Sequence, residues 1–315
     1  MPDSSALPAD TPICAKAPVV VVIFNRPDHA ARLRDSLRGQ ESRDLYVLSD
    51  AARPQKAGEA GKVEECRRIF EDWPGSVKFN CATVNMGCKG RVFSGLDWVF
   101  EMTDRAIVLE DDLLAREDFF SFCDWMLELY AETPGVLSVC GSKIYPGAAN
   151  GHFLSKYANC WGWATWRRAW KNYDDQFAVP SFTGKFLHLR SYLGTARASI
   201  YWLIRMWQVR SGRLSSWFFC WMLTSFFRDG LHVYPPSNLV LNQGYGADST
   251  HTREREPYMP ISYGPRMALP AKRLEPTATL AEADRWIEDN LYSKSPVVRW
   301  AWLVRKVKGL LRRGE

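Results

Sequence analysis

The chain has 315 residues, is 46% hydrophobic and 13% aromatic, and carries a net charge of +6 at pH 7. That is too apolar for disorder and ample for one large packed domain or two small ones. Six bases and one acid fall in residues 296–315, so the rest of the chain is near neutral, which excludes a strongly basic nucleic-acid-binding body.

Residues 18–24 (PVVVVIF) form a continuous apolar run of the kind a central parallel strand needs. Asn25-Arg26-Pro27-Asp28 ends it, and Asp28 is placed to cap a helix reaching about Leu37, with Leu33 and Leu37 on one face. Residues 45–48 predict a second strand that ends at Ser49-Asp50. After a polar stretch, 63–73 reads as a helix. Residues 77–84 predict a third strand, ending at Asn85-Met86-Gly87. A helix over 92–102 carries Phe93, Leu96, Val99 and Phe100 on one side. Residues 106–109 predict a fourth strand, 118–130 a helix rich in Phe, Trp and Leu, and 136–140 a fifth strand.

This alternation over 18–140 is the pattern of an α/β fold with a mainly parallel central sheet flanked by helices. Each of the first four strands ends in polar groups: Asn25 and Arg26, Asp50, Asn85, and Glu110-Asp111-Asp112. Such ends share one edge of a parallel sheet, where a nucleotide binds. The three consecutive carboxylates repel one another unless a cation or a hydrogen-bond network compensates them. A hard divalent ion holding phosphate oxygens is one physical reason to build such a site. The first turn lacks G-x-G-x-x-G, and no G-x-x-x-x-G-K-[ST] is present, so dinucleotide-binding and P-loop readings lose support.

The second half is less regular. Residues 157–170 (YANCWGWATWRRAW) are dense in tryptophan, 215–227 (SSWFFCWMLTSFF) predict a buried helix, and 238–252 (NLVLNQGYGADSTHT) read as a Gly/Asn loop ending at a histidine. No clear linker separates the halves. The expected organisation is a leader over 1–17, a catalytic domain over 18–260 (18–140 for the nucleotide-sugar, 141–260 for the acceptor), an extension over 261–295 and a basic helix over 296–315.

These residues, in this order, resemble the GT-A glycosyltransferases, and among them a bacterial group related to family 2 and similar to N-acetylglucosaminyltransferase I. The matching pieces are VVVVIFNRP at 19–27, LYVLSD at 45–50, NMGC at 85–88, IVLEDDLLAREDFF at 107–120, CWGWATW at 160–166 and PPSNLVLNQGYGADSTHT at 235–252. The resemblance implies a GT-A nucleotide-diphospho-sugar transferase fold, a nucleotide-sugar donor, UDP-linked, and Mn²⁺ or Mg²⁺ as cofactor. It implies transfer with inversion to a glycan or lipid-linked acceptor. It sets Asn25 and Arg26 near the base and diphosphate, and Asp50 at the base edge. Asn85, Glu110 and Asp111 fall around the nucleotide-sugar, and Asp112 on the metal.

His251 reads either as a second metal or phosphate contact or as a surface-loop histidine, and Asp248 carries the same two readings. Trp161, Gly162 and Trp163 are candidates for the acceptor pocket, with Gly162 allowing a close backbone approach; Trp166 is either pocket or core.

One departure matters. The resembling family carries an aspartate after a tryptophan as the base for the acceptor hydroxyl, and here Ser216-Trp217 is followed by Phe218. Phenylalanine cannot accept a proton. Asp174, Asp175 or the turn residue Asp229 supplies the base, or the acceptor needs none, or the chain binds donor without efficient transfer. A nucleotidyltransferase is a weaker reading, because the early Gly-rich basic loop is absent.

On a helical wheel, Val297, Trp300, Leu303, Val304, Val307, Leu310 and Leu311 fall on one side. Arg299, Arg305, Lys306, Lys308, Arg312 and Arg313 fall on the other. This pattern fits an interfacial helix on an anionic membrane surface, or a helix packed on the body with its charges in water. No apolar run approaches the roughly 20 residues that span a bilayer. Residues 1–17 carry two acids and no apolar h-region, unlike a signal peptide. The eight cysteines are scattered without a C-x-x-C pair, which favours reduced thiols over disulfides or a zinc site. The expected location is the cytoplasm, peripheral on the inner face of the cytoplasmic membrane.

Overall fold

The apolar run after Ala17 forms strand β1 (Val19–Ile23), the axis on which the rest of the fold is built. A computed structural model describes residues 15–177, 181–244, 260–266, 274 and 279–292. Strand β1 leads into helix α1 (Pro27–Ser36), β2 (Leu45–Ser49), α2 (Glu59–Glu71), β3 (Val77–Cys81), α3 (Gly87–Met102) and β4 (Arg105–Glu110).

Helices α2 and α3 begin several residues before the apolar periodicity does. Their first turns are polar or small and leave no periodic signal in the sequence. Arg26, not Asp28, is the N-cap of α1. Pro27 follows at the first helical position and Asp28 sits in the first turn, where the helix dipole favours an acid. β3 stops at Cys81, and residues 82–86 form the loop to α3.

Beyond β4 come β5 (Leu113–Ala115), α4 (Glu117–Leu129), β6 (Val136–Cys140), β7 (Phe153–Ser155), β8 (Trp163–Trp166) and α5 (Arg167–Trp170). Then follow α6 (Phe182–Leu193), α7 (Ala196–Arg210), α8 (Trp217–Phe226), β9 (Leu231–Tyr234), β10 (Val240–Asn242) and α9 (Ala281–Ile287). Eight strands make one sheet in the order β3-β2-β1-β4-β8-β6-β9-β7, so both sequence halves share it. β1 pairs in parallel with β2 and β4, and β2 with β3. β8 enters antiparallel between β4 and β6. β10 and β5 form a separate antiparallel ribbon.

Strand alternation sorts side chains onto two faces. Val20, Ala106 and Val108 join one apolar cluster, packed by α3, α5, α6, α7, α8 and α9. Val19, Val21, Ile23, Ile107 and Leu109 join the other, packed by α1, α2 and α4. β8 obeys the same rule: Trp163 enters the first cluster, Ala164 and Trp166 the second.

No helix among the described residues is long and apolar enough to cross a membrane. Cys66, Cys81, Cys88, Cys123, Cys140, Cys160 and Cys220 are free thiols. The proposed leader up to residue 14, part of the 261–295 extension and the whole 296–315 helix lie outside the described residues.

Candidate functional site

After β1 the chain moves through β2 and β3 to one side, and β4 returns on the other side of β1. The connections leaving β1 and β4 therefore diverge and open a crevice at the carboxyl ends of the strands, the place where open α/β sheets bind ligands. Arg26 enters it from the end of β1, and Glu110, Asp111 and Asp112 from the end of β4.

Alternation gives consecutive acids different neighbours. Asp111 turns toward α1. Its carboxylate accepts from Arg26 Nε at 3.3 Å and from Arg26 Nη2, and the Phe24 amide adds a further bond. Arg26 Nη2 also reaches Asp112 Oδ2 at 3.2 Å. Glu110 is on the other face, where the Trp217 indole at the start of α8 donates to it.

One guanidinium thus faces three carboxylates. Burial, then the charges of Asp112 and Asp111, push the Glu110 carboxyl up to about 8. Burial pushes Asp111 up to about 6 against the opposing pull of Arg26. Burial works against the Arg26 charge, but Asp111 and Asp112 outweigh it and hold the guanidinium more firmly protonated.

Asp112 is the more open of the Arg26 partners, its side chain 18% exposed against 5% for Asp111. Gly244 lies directly against it. A Cβ at position 244 would stand 2.0 Å from Asp112 Oδ2, so any larger residue there displaces the carboxylate. The Gln243 amide also donates to the Asp112 carbonyl at 2.9 Å.

Among the described residues no group of three or more His, Cys, Asp and Glu is placed to hold a metal ion alone. A hard cation bound through a diphosphate needs only one or two carboxylates, because phosphate oxygens and water complete its shell. The partly exposed Asp112 carboxylate and the excess of acids over the single guanidinium fit that arrangement.

Asp50 does not present a free acceptor for a base. It is 4% exposed, and its carboxylate accepts from the Ala51 amide (2.9 Å), the Met86 amide (2.9 Å) and Asn85 Nδ2 (3.2 Å). Asp50 and Asn85 therefore brace the loop between β3 and α3 on the end of β2, and Asn85 also donates to the Ala51 carbonyl at 2.6 Å. Asn25 turns away from the acids and donates to Glu59 Oε1 at 2.8 Å. Glu59 is gripped by Arg53, which holds its carboxyl down at about 2.

Trp163 is a correction to the acceptor-pocket reading. It is 1% exposed, stacks on Trp217 at 5.3 Å, and packs near Trp170 and Trp221, so it is core. Trp166 is likewise buried, its indole donating to the Leu127 carbonyl. Trp161 is only partly buried, its amide held by Asn159 Oδ1. Gly162 makes the close approach its sequence suggested. Its φ is +66°, and a Cβ there would meet Val240 at 2.7 Å.

Asp174 and Asp175 are both engaged. Asp174 Oδ1 accepts from the Gln176 and Phe177 amides, forming a turn. Asp175 pairs with Lys89 at 2.8 Å, which lowers its proton affinity and makes it a poorer base. Asp229 has φ 51° and is exposed in a turn beside His188. Phe218 occupies the first turn of α8 next to Trp217 and supplies no carboxylate. His251 and Asp248 lie outside the described residues.

The sequence reading missed several groups that the fold brings to the acids. His29, in the first turn of α1, feels burial first and then the charges of Arg26, Arg32 and Asp112. The Cys160 thiol is pushed up by burial and then by Glu110 and Asp112, and the exposed Cys88, near the start of α3, faces the same acids. None of these has a periodic signal, although Cys88 and Cys160 fall inside the NMGC and CWGWATW segments, as Gly244 falls inside the Gly/Asn loop.

No protein-family model and no curated protein matches the chain. Among solved structures it is similar to the mannosyltransferase PcManGT from Pyrobaculum calidifontis in complex with GDP-Man and Mn²⁺, at 12% identity and TM-score 0.33, covering 71% of this chain and 77% of that one. It is also similar to a 4-diphosphocytidyl-2C-methyl-D-erythritol synthase from Anaerococcus prevotii, at 9% identity and TM-score 0.33, covering 53% and 80%. A third is a UDP-glucose pyrophosphorylase complexed with UDP-glucose, at 8% identity and TM-score 0.29, covering 49% and 78%.

Proposed function

We propose that the chain is a metal-dependent glycosyltransferase of the GT-A type. It takes a sugar from a nucleotide-sugar, UDP-linked, and passes it with inversion to a bacterial surface-glycan or lipid-linked acceptor. The observation that carries this reading is the meeting of Arg26 with Asp111 and Asp112 in the crevice between β1 and β4. Asp112 would hold Mn²⁺ or Mg²⁺, with Gly244 leaving room for its carboxylate where a side chain would displace it. A divalent ion held there would supply Lewis-acid stabilisation of the leaving nucleoside diphosphate. Arg26 fixes Asp111 and contributes positive charge beside the phosphates. Asp50 and Asn85 shape the wall from behind, and Trp161 lines the acceptor side.

On this reading the chain also sits peripherally on the inner face of the cytoplasmic membrane, supported by the basic amphipathic sequence pattern of 296–315. Asp112→Ala tests the reading. Loss of both transfer and donor hydrolysis by a folded variant supports it, and unchanged activity removes the metal role from Asp112.

A second reading rests on the acceptor side. Phe218 replaces the expected carboxylate, and Asp174 and Asp175 are committed to a turn and to Lys89. On that reading the chain binds a nucleotide-sugar as a membrane-associated scaffold without transferring it. Turnover with a defined acceptor eliminates it.

A further inference from the structure

The amino end of β4 bears a second concavity, about 17 Å of strand away from Glu110. It encloses about 480 Å³ and is walled by Asp104, Arg105, Trp166, Arg167, Arg168 and Lys171. That volume suits a small molecule. Four cations face two acids, Asp104 and Glu132.

The charges are unevenly satisfied. Arg105 pairs with Glu128 at 2.8 Å, and Arg167 with Asp104 at 3.0 Å. The second pair is open to water, its side chains 43% and 86% exposed, so it holds Arg167 weakly. Arg168 is different. Its Nε, Nη1 and Nη2 donate to the carbonyls of Ala131, Val136 and Tyr130, and its guanidinium lies 4.3 Å from the Trp166 ring centroid. Neutral carbonyls and an indole fix this half-buried cation in place without cancelling its charge. Three of its five N–H groups are used in those bonds, which leaves two available. Lys171, one turn on, makes no ion pair among the described residues.

A preformed guanidinium with spare donors, flanked by a free ammonium and a loosely held second arginine, is the chemistry that recognises a phosphate group. We propose that this cleft is a binding site for a small phosphate-bearing anion, separate from the crevice at the other end of β4. The phosphate belongs either to a soluble ester or to an anionic lipid headgroup. The site does not depend on the transferase reading.

The test is calorimetric titration of the full chain with inorganic pyrophosphate, paired with sedimentation on phosphatidylglycerol and phosphatidylcholine vesicles. Arg167→Glu/Lys171→Glu changes two exposed side chains and spares Arg168, which ties the chain together. Arg26→Ala serves as the control for anion binding in the crevice. The expected result is pyrophosphate binding that survives Arg26→Ala and weakens about ten-fold or more in the double variant. Binding of phosphatidylglycerol but not phosphatidylcholine vesicles, lost in the double variant, assigns the phosphate to a lipid; pyrophosphate binding alone assigns it to a soluble ester. Identical pyrophosphate and vesicle binding by the native chain and the folded double variant overturns the proposal, as does binding of neither probe.

Discussion

Arg26, the N-cap of α1, and Asp111, the first residue after β4, close on each other across the crevice where the sheet connections diverge. The contact ties two neighbouring parallel strands at their carboxyl ends. It also neutralises one of three acids that burial and mutual repulsion would otherwise protonate.

Arg26→Ala therefore leaves Asp111 buried beside Asp112 and Glu110 without its counter-charge. Removing one partner of such a pair costs about 3 kcal/mol. Urea denaturation of Arg26→Ala should show that loss, and adding Asp111→Asn should recover part of it. Additive losses would mean that the two residues are not coupled.

Gly244→Ala tests the contact with Asp112. The added Cβ would stand 2.0 Å from Oδ2, so the carboxylate must turn away. Mn²⁺-dependent donor binding should fall about ten-fold or more, a loss of roughly 1.4 kcal/mol, with the fold retained by circular dichroism. Undiminished binding would show that the Asp112 carboxylate is not the metal contact.

Trp163→Ala separates core from pocket. Trp163 packs among Trp170, Trp217 and Trp221, so truncation opens a cavity and costs about 3–5 kcal/mol. Chemical denaturation should register this loss. A change in acceptor KM with unchanged stability would return Trp163 to the acceptor pocket.

Much of the first half was legible because a buried parallel strand is a continuous apolar run. The strands at 19–23, 45–49, 105–110 and 136–140 could each be read within a residue or so of their ends. The acidic strand end could be read as a cluster because its members are consecutive. Its partners could not, since Gly244 and Trp217 reach it through tertiary packing. β8 hid in the tryptophan-rich segment for a physical reason. Both of its faces are buried, so Trp163, Ala164 and Trp166 are all apolar and no alternation marks the strand. Helices α6 and α7 left no clear stripe, because Lys185, Ser199 and other polar groups are buried among their apolar residues. Asp50 was legible as a polar strand end, but not as a brace, because Met86 and Asn85 arrive from another connection.

The fold should lose stability in mild acid. His232 is fully buried, with Nδ1 on Ser138 Oγ at 2.7 Å and Nε2 without a partner among the described residues. Burial lowers its pKa from 6.5 to about 3, and that of His152 to about 4. Below pH 6.5 the unfolded chain binds protons that the folded chain refuses. Their contribution is therefore complete above pH 6.5 and declines as pH falls toward the folded values. Each histidine adds a slope of at most about 1.4 kcal/mol per pH unit. Denaturation from pH 7 to 4.5 should show the decline, and His232→Asn should flatten it. An unchanged slope in the variant would assign the acid sensitivity to other groups.

The central claim is that the crevice between β1 and β4 binds a nucleotide-sugar through a metal on Asp112. Calorimetric titration of UDP-, GDP-, CMP- and dTDP-sugars, with and without Mn²⁺, tests it most directly. The expected result is Mn²⁺-dependent binding of one donor, the UDP-sugar, abolished in a folded Asp112→Ala variant. Absence of binding to every donor by the folded native chain, or binding that survives Asp112→Ala unchanged, would contradict it.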